Sequence, residues 1–403
     1  MNILFLSAHL PSPVGRQAGQ KTSYQICNWL ARHHSVHLLG FATTAELRNF
    51  RREDNRIFHG LETIEVDTWT RVGGIVRKWH YPLTVAARSS SLFRRKLRYL
   101  LKTYRFDVAI LDHTAMFQYA GELASVQVLV GSAHDVVSQL WQRKSRLQPS
   151  FFIRTLYRFE HSRVQKWERL ALGNLDVIAP HSDKDARLLQ QISTSARICP
   201  IKPWFTLPQC ALSSPRIPGS IAFLGAFDRS ENRDALEYGI REVLPLIRRE
   251  CPDFKFHIVG SHSEKMKSLA KEASDIVVSG FVEDLAGFLS SMQLALLPLR
   301  FGAGIKVKML ECMASGLAVV TTEVGAEGVG GESGVQYFVG NSAPQLADWT
   351  IQLLRNPTLA RSIGESARNL VLEEFNFEEA MERLWSLVDN YFVESIPAVH
   401  AQI

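Results

Sequence analysis

The chain has 403 residues, 46% hydrophobic and 21% charged, which is too long for one ordinary core and typical in composition of a globular protein. No apolar run approaches the roughly 18 residues that span a bilayer, and the N-terminal "MNILFLSAHLPSP" lacks the basic segment and long apolar stretch of a secretory leader, so a cytoplasmic location is expected. The net charge of +6 conceals an asymmetry: residues 1–205 hold 29 Lys and Arg against 15 Asp and Glu (+14), and the remainder hold 17 against 25 (−8), so the two halves are expected to meet different partners.

In the first half, "NILFLSA", "SVHLLGF", "TIEVDTW", "DVAILD", "VQVLVGS" and "DVIAPHS" read as strands apolar on both faces, with helical stretches such as "TSYQICNWLARH" and "TLYRFEHSRVQKWERLAL" between them. That alternation predicts a doubly wound parallel α/β sheet. After the first strand, "HLPSPVGRQAGQKTS" carries Gly15 and Gly19, with Thr22 or Ser23 as the expected helix cap. This loop either presents amides to an acceptor or simply connects strand to helix; it is not a dinucleotide-binding fingerprint.

Two strand ends in this half carry His and Asp together: Asp112 with His113, and His134 with Asp135. Single histidines are more often structural, but two such pairs at strand ends are harder to dismiss: His134 is read as a substrate contact, and Asp112 and His113 as weaker candidates beside a structural role. Between Asp67 and Asp107 there is no acidic residue, while ten Lys and Arg interleave with Trp79, Tyr81, Leu92, Phe93, Leu97 and Tyr99. A basic helix with an apolar face predicts contact with an anionic membrane surface; solvated helix faces are the plainer reading, and nucleic acid is excluded as a partner because the other half suits a different ligand.

Around residues 203–220 the prolines Pro203, Pro208, Pro215 and Pro218 predict a linker. A second alternating series follows, with "SIAFLGA", "FKFHIVGS", "DIVVSGF", "LALLPL", "LAVVTTE" and "VQYFVG" as strands, and the chain closes in a long helical region. The expected boundaries are residues 1–205 for the first domain, 206–375 for the second and 376–403 for a closing helix. Two such Rossmann-like domains facing each other would leave a cleft between them. The five scattered cysteines, without a C-x-x-C pair, argue against a disulfide framework or zinc site, and no metal is expected.

The strand ends of the second half carry Gly225, Gly260 and Gly280, each freeing backbone for a ligand. Asn232 is expected to cap the helix after Gly225, Arg229 and Arg233 stand where an anion could sit, and Phe281 with Val282 could line a base. The stretch "FGAGIKVKMLECMASG" is the most informative. Gly302 and Gly304, with Ala303 and Ile305, expose amides at a helix start, where Lys306 and Lys308 would be unfavourable unless an anion joined them. A pyrophosphate satisfies all of these groups, and Glu311, three residues after Lys308, can accept from a ribose diol. A surface ion pair on an ordinary helix is the plainer alternative.

These residues carry a resemblance. "VSGFVEDLAGFLSSMQLALLPLRFGAGIKVKMLECMASGLAVVTTEVGAEGV", with "FLGAF" and "IREVLPLIRRECPDFKFHIVGSH", resembles the retaining family 4 glycosyltransferases of GT-B fold, most densely over residues 220–330. The resemblance implies a nucleotide-diphosphate sugar donor bound by the second domain (206–375), no separate cofactor, a saccharide or lipid-linked saccharide acceptor bound by the first (1–205) in bacterial polysaccharide synthesis, and a last helix (376–403) crossing back to the first domain. Glu311 matches the second glutamate of the family's E-x7-E motif; the first falls on Ala303 and is absent. The family's pyrophosphate-gripping Arg/Lys pair aligns near Ala226 and Asn232 and is also absent, leaving Lys306 and Lys308 as replacement charge, ahead of Arg300 and Arg229. His134, in "SAHD", resembles the acceptor-domain histidine near the reaction centre. The expected function is a metal-independent retaining glycosyltransferase in which His134, Lys308 and Glu311 carry the chemistry. A sugar-nucleotide epimerase and a non-catalytic nucleotide-sugar-binding subunit are the alternatives.

Overall fold

A computed structural model of the protein describes residues 1–15, 17–50, 54–192, 195–203, 205, 215–270 and 273–394. The chain forms two compact units, Met1–Trp204 with Phe377–Ile403, and Phe205–Asn376. Most of the expected proline linker, including Pro208, lies outside the described residues, as do Cys210 and the last nine residues of the expected closing helix. The four described cysteines are free thiols.

The first unit is built on strands β1 (Asn2–Ser7), β2 (Ser35–Ala42), β3 (Gly60–Glu65), β4 (Val108–Asp112), β5 (Val128–Ala133), β6 (Val177–Pro180) and β7 (Arg197–Ile198). They pair in parallel in the order β3-β2-β1-β4-β5-β6-β7. The central strands are buried throughout because Val, Ile, Leu and Phe occupy both faces and helices cover each. The strand expected at "TIEVDTW" sits earlier. It ends at Glu65 because Asp67 caps the next helix, accepting from the Thr70 amide at 2.7 Å. Phe377, Met381, Leu384, Trp385 and Val388 of the helix Phe377–Glu394 join this unit's core.

The second unit carries β8 (Ser220–Leu224), β9 (Lys255–Val259), β10 (Ile276–Gly280), β11 (Leu294–Leu297), β12 (Ala318–Thr321) and β13 (Phe338–Val339). All pair in parallel, in the order β10-β9-β8-β11-β12-β13. The expected helix over "DALEYGIREVLPLIRREC" contains a π-helical turn, Gly239–Val243, two residues before Pro245. The single closing helical region is two helices, Pro357–Glu374 and Phe377–Glu394, belonging to different units.

The fold class is therefore α/β with two doubly wound parallel sheets. In each, strand order reverses beside the first strand, between β1 and β4 and between β8 and β11. Such switch points leave a crevice at the carboxyl ends of the strands, where open α/β sheets bind ligands.

Candidate functional site

The switch point of the first sheet gathers an acid, two hydroxyls and four imidazoles. Asp112 ends β4 fully buried, and its carboxylate accepts from three groups: His134 Nε2 at 2.7 Å, Ser23 Oγ at 2.6 Å and Ser7 Oγ at 3.2 Å. Burial by itself would raise the Asp112 carboxyl; the charge and hydrogen bond of His134, with His9 and Ser23, outweigh it and hold the group well below the usual carboxylate range. The pairing differs from the sequence order: Asp112 bonds the histidine at the end of the neighbouring strand, not His113.

His113 adopts φ 84°, ψ 136°, a conformation that costs a non-glycine residue about 1–3 kcal/mol. His9 and His113 each stand edge-on or tilted to His134, with centroids 6.2 and 5.6 Å away, and His181 lies against it at 4.3 Å. Desolvation pulls His9 down to about 4, and it lowers His113 and His181 as well. These three rings are therefore neutral at pH 7, while the hydrogen bond from His134 Nε2 to Asp112 keeps the proton of that nitrogen toward the carboxylate. The arrangement can orient a hydroxyl-bearing ligand and hold a proton at His134.

Gly19 belongs to this cluster. A methyl there would sit 3.4 Å from His134 Nδ1 and 3.5 Å from His9 Cε1. Gly15 instead turns against Ser12 and Gln20. Neither Thr22 nor Ser23 caps the helix, which starts at Ala18 behind Gln17; Ser23 lies one turn in, where its hydroxyl reaches Asp112. Sequence reasoning passed over Ser7, His9, Ser23 and His181. Three carried a signal, since Ser7, His9 and His181 lie at or just beyond the ends of apolar strands; Ser23 needed the helix register.

The switch point of the second sheet carries the loop between β11 and the helix Val307–Ala314. Gly302 (φ 149°) and Gly304 (φ 66°) turn the chain so that Lys306 becomes the N-cap residue, and no side chain caps that helix. The two lysines differ in placement. Lys306 is buried and its ammonium donates to Gly304 O at 2.6 Å, holding the loop from within, while Lys308 stands inside the first turn and donates to Asn232 Oδ1. Asn232 does not cap its helix; that position falls to Arg229, and Asn232 donates instead to Ala226 O at 2.7 Å. Glu311 is half-buried on the same helix as Lys308.

Arg300 is held by Asp234 through Nε at 2.9 Å, Arg233 donates to the carbonyls of Phe227 and Asp228, and Arg229 is half-exposed with Glu231 at 3.7 Å. Of the cations considered from sequence, loop carbonyls thus hold Lys306 and Arg233, Asp234 holds Arg300, Glu231 pairs with Arg229, and Asn232 accepts from Lys308. Gly225, Gly260 and Gly280 end adjacent strands, with the Gly260 amide donating to Gly280 O at 2.8 Å and the Gly225 amide to Val259 O at 3.0 Å. Phe281 follows Gly280 and is 62% exposed, whereas Val282 packs at the edge of the core. Gly260 cannot be replaced: it has φ 128°, and a Cβ would lie 2.0 Å from Gly225 O. Gly260→Ala is expected to destabilise the second unit by about 3 kcal/mol or more, read as a lowered denaturant midpoint; an unchanged midpoint contradicts the close approach.

The Lys308 ammonium is brought down to about 7, first by loss of solvent and further by Lys306 and Arg229, with Glu231 opposing. An anion beside it restores the higher value, so anion binding takes up a proton. Nucleoside-diphosphate affinity is therefore expected to fall as pH rises above about 7, by up to tenfold per unit. Calorimetry in buffers of different ionisation heat measures that uptake, and a pH-independent affinity would remove Lys308 from the anion site. Among the described residues, no group of three or more His, Cys, Asp and Glu side chains is placed to hold a metal ion.

The chain is similar to known proteins in sequence and in fold. Residues 218–356 match the family model described as glycosyl transferases group 1. A curated relative, an uncharacterized 44.6 kDa protein in the cps region of Klebsiella pneumoniae, is 25% identical over 174 residues, 41% of this chain and 45% of that protein, so the match spans less than half of the relative's length. Among solved structures, sucrose-phosphate synthase from Thermosynechococcus elongatus is similar over 98% of this chain and 100% of its own, with TM-score 0.68 and 17% identity. HepE from Anabaena, solved with UDP and glucose, is similar over 97% of this chain and 100% of its own, with TM-score 0.67 and 14% identity. Residues 218–356, which contain the glycine–lysine loop together with Asn232, thus match the glycosyl transferases group 1 family model, within a chain of GT-B fold.

Proposed function

We propose that the protein is a retaining glycosyltransferase that moves a sugar from a nucleotide-diphosphate donor to an acceptor hydroxyl in bacterial polysaccharide or glycoconjugate synthesis. The observation that carries this reading is the loop Gly302–Lys306 with Lys308. An uncapped helix start, two left-handed glycines and a desolvated lysine stand together at a switch point. The diphosphate sits there, and the charge that develops on it as the anomeric C–O bond breaks is stabilised by the helix amides and Lys308, an electrostatic role that requires no metal. Glu311 holds the ribose, Phe281 and Val282 meet the base, and the backbone of Gly302, Ala303, Gly304 and Ile305, with Gly225, Gly260 and Arg229, completes the donor site.

The acceptor is a saccharide or lipid-linked saccharide, held in the first unit by Gly15, Gly19, Asp112, His113 and His134. The cps-region relative, and the UDP-bound HepE and pneumococcal O-GlcNAc transferase GtfA, support donor and pathway class. A cytoplasmic site of action, peripheral at the inner membrane face, suits a lipid-linked acceptor. A thermal-shift screen of UDP, GDP, ADP and dTDP tests the donor site. Nucleotide release from the matching donor sugar then tests transfer. Release only with acceptor supports the transferase; conversion of the donor without acceptor would make the protein an epimerase; binding without either would make it a non-catalytic subunit, a reading favoured by Ala303 in place of the first motif glutamate.

A further inference from the structure

Within the stretch expected to meet a membrane, between Asp67 and Asp107, the helix Ser91–Thr103 does not offer its apolar side. Phe93, Leu97 and Leu100 are core residues, Arg94 and Arg98 pair with Glu122, and Lys96 pairs with Glu62. The first helix of that same stretch does, together with one element outside it. On the helix Thr68–Arg77 and the residues just after it, Trp69, Val72, Val76 and Trp79 recur at helical spacing and are 80%, 44%, 69% and 76% exposed. At the start of the helix Phe151–Leu172, Phe152, Leu156 and Phe159 do the same at 83%, 58% and 61%.

These stripes are fixed side by side. Arg163 donates to the carbonyls of Trp79 and Tyr81, and its guanidinium lies 5.5 Å over the Phe159 ring. Glu160, almost fully buried, accepts from the Leu83 amide and from Arg163 at 2.8 Å. That use of Glu160 matters for charge. Residues 68–82 contribute Arg71, Arg77 and Lys78, and residues 151–159 contribute Arg154 and Arg158, with no acidic residue in either segment.

A monomeric surface seldom exposes this many large apolar side chains together. Trp and Phe along one stripe, bordered by cations and free of acids, match the interface of a bilayer carrying negative lipid, where rings enter the headgroup boundary and Arg and Lys meet phosphate. A second copy of this chain fits less well, because like charges would face one another across the contact. We propose that the joined faces of Thr68–Arg77 and the first turns of Phe151–Leu172 form a membrane-contact surface that seats on an anionic phospholipid bilayer. The inference deepens the reading of a membrane-presented acceptor, but its test needs no donor, so the two can fail separately.

The full chain is sedimented with vesicles of phosphatidylcholine alone or with one quarter phosphatidylglycerol, at low and high salt. Binding is expected only with the anionic lipid and is expected to weaken with salt. Trp79→Ser with Phe152→Ser should weaken binding about tenfold or more, with unchanged thermal midpoint and unchanged transfer to a water-soluble acceptor. Arg154→Gln with Arg158→Gln should weaken binding and flatten its salt dependence. Absence of parent binding to anionic vesicles, parent-like binding by the double serine variant, or a parent dimer that the serine variant dissociates without any vesicle binding would each overturn the proposal.

Discussion

Lys308→Ala is expected to lower the affinity for nucleoside diphosphate by about ten- to hundredfold, the scale of one hydrogen bond to a charged group. The loss should not come with unfolding. The ammonium of Lys308 sits at about 7 in the folded chain against 10.5 ordinarily. Between those values the unfolded chain binds more protons, so stability rises with pH across that interval and the buried lysine costs stability at neutral pH. Its removal should leave the thermal midpoint unchanged or raise it. Glu311→Ala should weaken binding of the nucleotide but not of inorganic pyrophosphate, because the carboxylate is assigned to the ribose. Lys306→Ala should behave differently from Lys308→Ala: its ammonium holds the carbonyls of Ala303 and Gly304, so affinity and local stability should fall together. If Lys308→Ala and Glu311→Ala both bind nucleotide as the parent does, the donor site lies elsewhere.

Asp112→Asn and His134→Ala are each expected to lower transfer at least about a hundredfold, the lower range for a positioned acid or base. Nucleoside-diphosphate affinity should stay within about twofold of the parent, since both residues belong to the first unit and the glycine–lysine loop to which the diphosphate is assigned belongs to the second. The two substitutions differ in stability. Asparagine in place of Asp112 turns an amide donor toward His134 or Ser23, which already donate there, at about 1–3 kcal/mol. Alanine at His134 leaves the Asp112 carboxylate without the partner that holds it ionised. Rate measured against acceptor concentration, with the pH profile alongside, separates the roles: a fall in kcat with an altered profile marks the dyad as part of the chemistry. Parent-like transfer by both variants would reduce the cluster to a structural one.

The sequence by itself determined the architecture. Strands with Val, Ile and Leu on both faces fit a buried parallel sheet, and of the thirteen strands among the described residues eleven lie where apolar runs were read, β3 sits earlier than its run, and the two-residue β7 had no such run. The sequence also marked the glycine–lysine loop, because glycine pairs and clustered cations at a helix start are local features. Partner choice was not local. That Asp112 bonds His134, that Ser23 rather than a cap meets the carboxylate, and that His9 and His181 close around them depend on β1, β4, β5 and β6 bringing their ends together. The same holds for Lys306 and Lys308, two residues apart in sequence: the turn at Gly302 and Gly304 directs one ammonium into the loop, and the helix carries the other to Asn232. The apolar face of Ser91–Thr103 and the exposed stripe of Thr68–Arg77 have similar patterns, and only packing decides which is core and which is surface, since burial follows from the neighbours a face meets, not from its own composition.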